Sequence, residues 1–335
     1  MKRTIIILCV LLMTVAAVFA QQEVLNKAWT NGDIQYTGER EGRMIRFSGF
    51  DGHEGGFGFA LGEPTNGKML ISETSDGLGY SNYLGCMAEY KRIGKQELLI
   101  IKDKAGKHID VLVAGERYGI ITSALVRFLA GSYRDVNGKG YVFSADGTRA
   151  SGFGAAEENY TIDEAYYLPD FIICIGNNSY MIVKERQENG LRLRFEPYAK
   201  NSEDDWAPAA GTSAGGASGT SPAGTVPVQP LMFIKTAWIG DAPGGSIPGR
   251  YPFTSTEVMT WRDLMMFSLD ELDIMRNEIF ARYGHTFKTA RYRDYFSAQP
   301  WYKATTNDAT NLLKEIEQLN IAQIVMVQDF IKNAN

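Results

Sequence analysis

Histidine and cysteine are scarce in this 335-residue chain, with three of each. His53, His108 and His285 are as scattered as Cys9, Cys86 and Cys174, and no zinc-ligand spacing can be drawn through them. Polybasic blocks are also missing, so general nucleic-acid binding is excluded. After Ile5–Ala17 no second apolar run approaches the ~20 residues of a membrane span. The glycine-rich GGFGFALG (Gly55 to Gly62) lacks a Gly-Lys-Ser/Thr ending and a strand-to-helix context, so it reads as bent strand rather than phosphate loop. No Ser/His/Asp, Cys/His or metal signature stands in the first two hundred residues, and the sequence calls for no cofactor.

The first twenty residues read as a secretory signal peptide. Lys2 and Arg3 form the positive end, Ile5–Ala17 the apolar core, and Val18-Phe19-Ala20 a small-residue cleavage site before Gln21. Without Lys2 and Arg3 the 34 Lys and Arg fall to 32 against 39 Asp and Glu, a net charge of −7. An exported location is the expectation: periplasmic, cell-surface or secreted, with no membrane span after cleavage. Export permits a disulfide, and the sequence leaves open whether Cys86 and Cys174 pair or stay buried as thiols.

NSEDDWAPAAGTSAGGASGTSPAGTVPVQP, residues 201–230, has almost nothing to bury and reads as a flexible linker. It separates two β-units, 21–120 and 121–200, from a helical domain at 231–335. The fold expected is therefore multidomain: a duplicated all-β section of antiparallel barrel or sandwich, then a small all-α domain.

The β reading rests on hairpin dipeptides: Asn31-Gly32, Asp51-Gly52, Asn66-Gly67, Asp76-Gly77, Asn137-Gly138, Asp146-Gly147 and Asn189-Gly190. In LRLRFEP, Leu191, Leu193 and Phe195 alternate with Arg192 and Arg194, and Tyr180–Phe195 is the clearest hairpin. One short helix is expected around Ile121–Ala130. The duplication shows in IRFSGFDGHEGGFGFA (Ile45 to Ala60) against YVFSADGTRASGFGAA (Tyr141 to Ala156). ELLIIKDKAGKHIDVLV (Glu97 to Val113) similarly answers DFIICIGNNSYMIVKE (Asp170 to Glu185). The stretch LAGSYRDVNGKGYVFSADG (Leu129 to Gly147) resembles the small antiparallel barrels of lipocalin-like envelope proteins, which enclose either a ligand or a packed core.

From Leu264 the period becomes helical. Leu269, Leu272, Met275, Ile279 and Tyr283 predict a helix over 269–283. A capping box of Ser268 and Glu271 starts it and Gly284 stops it. A second helix is expected over Thr289–Phe296. A third should run from about Asp308 or Thr310 to Lys332, its apolar stripe being Leu312, Ile316, Leu319, Ala322, Met326 and Phe330.

RNEIFARYG, then Phe287, Tyr295-Phe296 and the QPWY of Gln299–Tyr302, resembles the YARHG domain, a small helical module of exported bacterial proteins. GRYPFTS before it and EIEQLNI after it look like the same family, so the resemblance covers roughly Pro252–Lys332. Phe280 stands where the family name has Tyr, and Tyr283 where it has His. The resemblance implies export and an envelope setting, and supplies no reaction.

Three chemistries compete for this stretch. Glu278 and His285 are a conceivable acid–base pair, but no nucleophile or metal cluster accompanies them. Arg276 and Asn277 can instead bond to loop carbonyls and helix ends, with Trp301 and Tyr302 closing a small core. The third is binding. Arg276–Lys303 holds six Lys and Arg against two acids, interleaved with the aromatics Tyr283, Phe287, Tyr292, Tyr295, Phe296, Trp301 and Tyr302. Guanidinium forks match carboxylates and phosphates, and ring faces stack on sugars or peptide groups. The candidate binding residues are Arg276, Asn277, Glu278, Arg282, Tyr283, Arg291, Trp301 and Tyr302. The function expected is non-enzymatic binding or scaffolding in the cell envelope, on peptidoglycan, polysaccharide or an envelope protein. The alternatives are a hydrolase of envelope polymers or its regulator, and a small-ligand carrier using the β-units.

Overall fold

The computed structural model describes residues 24–25, 27–50, 55–65, 67–75, 83–154, 158–163, 171–187, 190–200, 206–208, 231–237 and 247–333. The signal-peptide expectation, the Asp51-Gly52 and Asp76-Gly77 turns, the asparagines of Asn66-Gly67 and Asn189-Gly190 and most of the 201–230 linker lie outside these. The chain divides into two compact units: Met1–Ile121 with Pro252–Asn335, and Thr122–Tyr251.

The first unit contains a closed eight-stranded barrel. Its strands are β1 (Ala28–Thr30), β2 (Gln35–Glu41), β3 (Met44–Phe50), β4 (Gly55–Leu61), β5 (Lys68–Ser75), β6 (Met87–Ile93), β7 (Gln96–Lys102) and β8 (His108–Ala114). Each pairs antiparallel with the next, and β1 closes the ring on β8 through Trp29 opposite Ala114 and Thr30 opposite Val113. Closure pairs the first strand with the last and so removes the two terminal edges an open sheet would present. Alternation along β3 turns Ile45 and Phe47 inward. They join Trp29, Tyr36, Phe59, Tyr83, Leu99, Ile101 and Leu112 in one buried cluster. Phe47 stacks on Phe59 at 4.6 Å, and Tyr36 and Tyr83 meet Phe59 edge-on at 5.2 and 5.5 Å. The protein's own rings therefore fill this part of the barrel, which disfavours ligand carriage there.

The second unit holds a nine-stranded antiparallel sheet. It is built from β9 (Gly131–Asp135), β10 (Gly140–Phe143), β11 (Arg149–Ser151), β12 (Glu158–Asp163), β13 (Phe171–Ile175), β14 (Asn178–Gln187), β15 (Gly190–Lys200), β16 (Trp206–Pro208) and β17 (Leu231–Ala237). The β14–β15, β15–β17 and β17–β9 pairings return the sheet to its first strand, while β16 extends along the end of β15. The Tyr180–Phe195 hairpin is formed, with Tyr180 opposite Pro197 and Ile182 opposite Phe195. Gly32, Gly138 and Gly147 take positive φ, as their dipeptides require.

Three boundaries differ from the sequence reading. The expected short helix is longer, α1 (Arg117–Leu129), and spans the 120/121 division. Residues 231–237 form β17, so the helical region begins only at Pro252. Part of the supposed linker, Trp206–Pro208, is strand. The reason is ring closure: β9 and β15 have edges to satisfy, and β17 supplies backbone partners from beyond the low-complexity stretch. β17 joins β15 to β9 as β1 joins β8 to β2. The two repeats quoted from sequence are out of step by one strand. Ile45–Ala60 and its counterpart are β3–β4 and β10–β11, seven strands apart, whereas Glu97–Val113 and its counterpart are β7–β8 and β13–β14, six apart.

The helical region belongs to the first unit. A 3-10 turn over Pro252–Ser255 leads to α2 (Trp261–Met265), α3 (Leu269–Arg282), α4 (Ala290–Ser297) and α5 (Glu315–Asn333). α3 matches expectation, with both halves of the Ser268/Glu271 capping box formed and Leu272, Met275 and Ile279 buried. α5 starts later than expected. Thr310–Leu312 is a separate 3-10 turn, and Leu313 at ψ 135° breaks the path into the helix. Its buried face is also different: Ile316, Leu319, Ile324 and Val327 point inward with Glu317, Asn320, Gln323 and Gln328. Leu312 and Phe330, both assigned to the stripe, are about half exposed at 53% and 49%.

α5 lies on the outer face of the barrel. Ile316 and Leu319 pack with Val258 on Leu98, Ile100, Val111 and Val113. That cover explains why β7 and β8 read as unbroken apolar runs rather than alternating ones: both of their faces are buried. Gln96 locks the seam by accepting from Val258 N at 2.6 Å and donating to Val258 O at 3.2 Å. Lys91 pairs with Glu315 at 2.5 Å. Gly32, at φ 96°, sits where an added Cβ would lie 2.3 Å from Arg262 Cβ, so only glycine permits this approach.

Candidate functional site

The RNEIFARYG residues lie on α3 and split between its inner and outer sides. Arg282 is inside, its side chain 6% exposed, and Glu278 one turn earlier is 1% exposed. Arg282 Nη2 donates to Glu278 Oε1 at 2.5 Å, and Nη1 donates to Thr254 Oγ1 and Ser255 Oγ, each at 2.9 Å. Ser255 Oγ donates to Glu317 Oε1 at 2.5 Å, and Tyr283 Oη donates to Glu317 Oε2 at 2.7 Å. The same oxygen accepts from Lys314 N at 2.9 Å. This is the capping position of α5, where the helix dipole favours negative charge. One continuous network thus ties α3, the Pro252–Ser255 turn and α5 together.

Burial shifts the groups in this network. Desolvation lowers the affinity of the Arg282 guanidinium for its proton, with Glu278 and Glu317 opposing that shift. The Tyr283 hydroxyl is pushed up to about 12, first by burial and then by its bond to Glu317. A buried guanidinium held by carboxylate and hydroxyls has no free donor fork to offer a polymer.

Arg276 and Asn277 are also spent on architecture. Arg276 donates to Gln328 Oε1 at 3.1 Å and reaches Asp273 at 3.4 Å, while Gln328 Nε2 donates to Asp273 at 2.8 Å. This triangle joins α3 to α5. Asn277 Nδ2 donates to Asp273 O on its own helix at 2.8 Å. Glu278 and His285 stand in different surroundings: the imidazole lies between Phe280 and Phe287, at 5.9 and 5.1 Å. Gly284 ends α3 at φ 73°, and an added Cβ there would meet Lys303 O at 2.8 Å.

The remaining three predicted residues belong to an aromatic cluster around α4. Phe287, Phe296, Trp301 and Tyr302 pack with ring centroids 4.8 to 6.3 Å apart. Tyr302 Oη donates to His285 O at 2.6 Å. Arg291 is exposed, 5.7 Å from the Tyr292 ring and 3.0 Å from Asp270. Lys288, Arg293 and Lys303 are exposed on the same segment, beside half-buried Tyr292, Tyr295 and Trp301. Against these four cations stand Asp270 and Asp294, each near one arginine. A formal charge of +2 remains on the outward side.

Sequence reasoning missed Ser255, Thr254 and Glu317. The capping pattern, an acid three residues after Lys314, was the available signal for Glu317. Nothing in the sequence marked the two hydroxyls. Elsewhere, Cys86 is buried and is not disulfide-bonded to Cys174, whose Sγ lies 3.3 Å from Ser179 Oγ. Among the described residues no group of three or more His, Cys, Asp or Glu is placed to hold a metal ion. Among them, too, no helix is long and apolar enough to cross a membrane.

Residues 251–329 match the YARHG domain family. The match begins at Tyr251 and covers the network, the aromatic cluster and most of α5. No curated protein and no solved structure matches the chain.

Proposed function

We propose that this protein is an exported, non-enzymatic binding or scaffolding protein of the cell envelope. In this reading the outward face of α4 and the following loop engages an anionic envelope polymer. The observation that carries it is the division of labour among the charged residues. Arg276, Glu278 and Arg282 are consumed by the fold, whereas Lys288, Arg291, Arg293 and Lys303 face outward beside tyrosine and tryptophan rings. Cations beside ring faces suit a polymer carrying carboxylates or phosphates on sugars. The YARHG match supports the exported setting.

The test is retention of the full mature chain on purified peptidoglycan sacculi at rising salt. The comparison is a Lys288→Ala, Arg291→Ala, Lys303→Ala triple variant. Retention that falls with salt and is lost in the variant supports the proposal. No retention at low salt, or equal retention of both proteins, overturns it.

A further inference from the structure

The ion pairs Lys91–Glu315 and Asp33–Arg262 both join the barrel to the helical region, and His108 is the histidine at that contact. The β7–β8 register passes from Ile101 opposite Asp110 to Lys102 opposite His108, leaving Ile109 as an extra residue. Such a bulge re-aims the side chains beside it. Ile109 packs against the inner cluster and Asp110 is buried against Tyr83 and Asn31, while His108 reaches α5.

His108 Nε2 lies 2.8 Å from Gln323 Oε1, and Gln323 is fully buried. Gln323 Nε2 donates to Met259 O at 3.3 Å, which fixes the amide with its oxygen toward the histidine. Nε2 is then the protonated nitrogen of a neutral ring. Nδ1 is buried and has no hydrogen-bond partner. Among the described residues no carboxylate accepts a hydrogen bond from Nδ1. Lys102 is the opposing residue on β7 and the charged group acting on the ring. Asp103 in the adjoining turn accepts from Lys107 N, and Asp110 on the same strand is engaged with Tyr83 and Asn31. The 252–260 segment and α5 present the Met259 carbonyl and Gln323, both neutral, and Glu317 is held by Ser255, Tyr283 and Lys314.

We propose that His108 is a pH-sensitive latch, and that protonating its ring releases the helical region from the outer face of the first barrel. A second proton would place a buried N–H without an acceptor and a positive charge beside Lys102. Burial first, with Lys102 adding to it and the Gln323 bond opposing, holds the docked imidazole below its ordinary range. The undocked ring titrates near the ordinary value of about 6.5. Docking is therefore complete above that pH and weakens as pH falls through the window below it. One proton is involved, so the loss is at most about tenfold per pH unit.

Hydrogen exchange of the full chain at pH 7.5 and 5.5, corrected for intrinsic rates, tests this. The expected result is a several-fold loss of protection at pH 5.5 in Pro252–Thr260 and Glu315–Val327, with β2–β4 unchanged. His108→Gln should abolish that loss. Gln323→Glu should reverse it, because a carboxylate facing the ring favours the imidazolium. Equal protection of the wild-type protein at both pH values, or the same loss in His108→Gln, overturns the latch. Should His108→Gln fail to fold, an unchanged loss in Gln323→Glu overturns it equally.

Discussion

Arg282 and Glu317 act on each other through a single hydroxyl: Ser255 Oγ accepts from Arg282 at 2.9 Å and donates to Glu317 at 2.5 Å. Three segments of the helical region meet at that atom. Arg282→Ala removes the partner of a buried Glu278 carboxylate and leaves two hydroxyls without their donor. The expected cost is about 3–5 kcal/mol, read from urea unfolding of the full chain. A loss below about 1 kcal/mol would show that the network contributes little.

The cover over β7 and β8 makes the helical region dependent on the barrel. Residues 247–335 expressed alone would expose Val258, Ile316 and Leu319. The fragment should aggregate or unfold without cooperativity, and a sharp thermal transition in it would refute the dependence. In the full chain, Leu319→Ala should cost about 2–4 kcal/mol by loss of buried apolar contact.

Asp110 should print its own pH dependence on stability. Burial raises its carboxyl above the ordinary range, and bonds from Tyr83, Asn31 and Val111 oppose this. A raised acid holds its proton in the folded state after the unfolded chain has released it. Its contribution is therefore greatest at low pH and declines as pH rises from about 4 toward the raised value. Asp110→Asn should remove that decline from a melting-temperature profile between pH 4 and 8, and an unchanged profile would assign the slope elsewhere.

Cutting the chain inside 209–230 should not separate it. β17 is paired with β9 and β15, and the helical region is held on the first barrel. With a protease site inserted there, the two fragments should co-elute in gel filtration after cleavage. Their separation under native conditions would show that the connection itself maintains the assembly.

Gly32→Ala should loosen the seam. The residue is at φ 96°, and its new methyl group would collide with Arg262 Cβ. The variant should melt lower than wild type, and relief by Arg262→Gly would locate the strain at that contact.

Local chemistry was legible wherever neighbours in sequence decide the structure. The Ser268/Glu271 capping box, the Gly284 stop, the Asn31-Gly32 and Asn137-Gly138 turns and the Tyr180–Phe195 hairpin all depend on residues within a few positions of each other. The α5 stripe misled because periodicity finds apolar faces, and this helix buries four polar side chains instead. Asn320 donates to Thr254 O and Glu257 O and accepts from Met259 N, serving a non-helical segment more than sixty residues away. No local pattern encodes such an obligation. The unbroken apolar runs of β7 and β8 did carry a signal for the cover, which reading them only as hairpin strands did not use.

The sequence by itself determined the classes of structure: a long antiparallel β-section, a low-complexity stretch, a helical region with caps in place, and the YARHG signature. Periods of two and 3.6 residues and the special backbone demands of glycine are local properties, and they are written in order along the chain. Only the tertiary structure decided that Arg282 and Glu278 face inward while Arg291 faces out. It alone decided that β17 closes the second sheet and that the helical region rests on the first barrel. Those outcomes depend on which distant surfaces must be taken from water together, and burial is a property of the assembled chain rather than of any one segment.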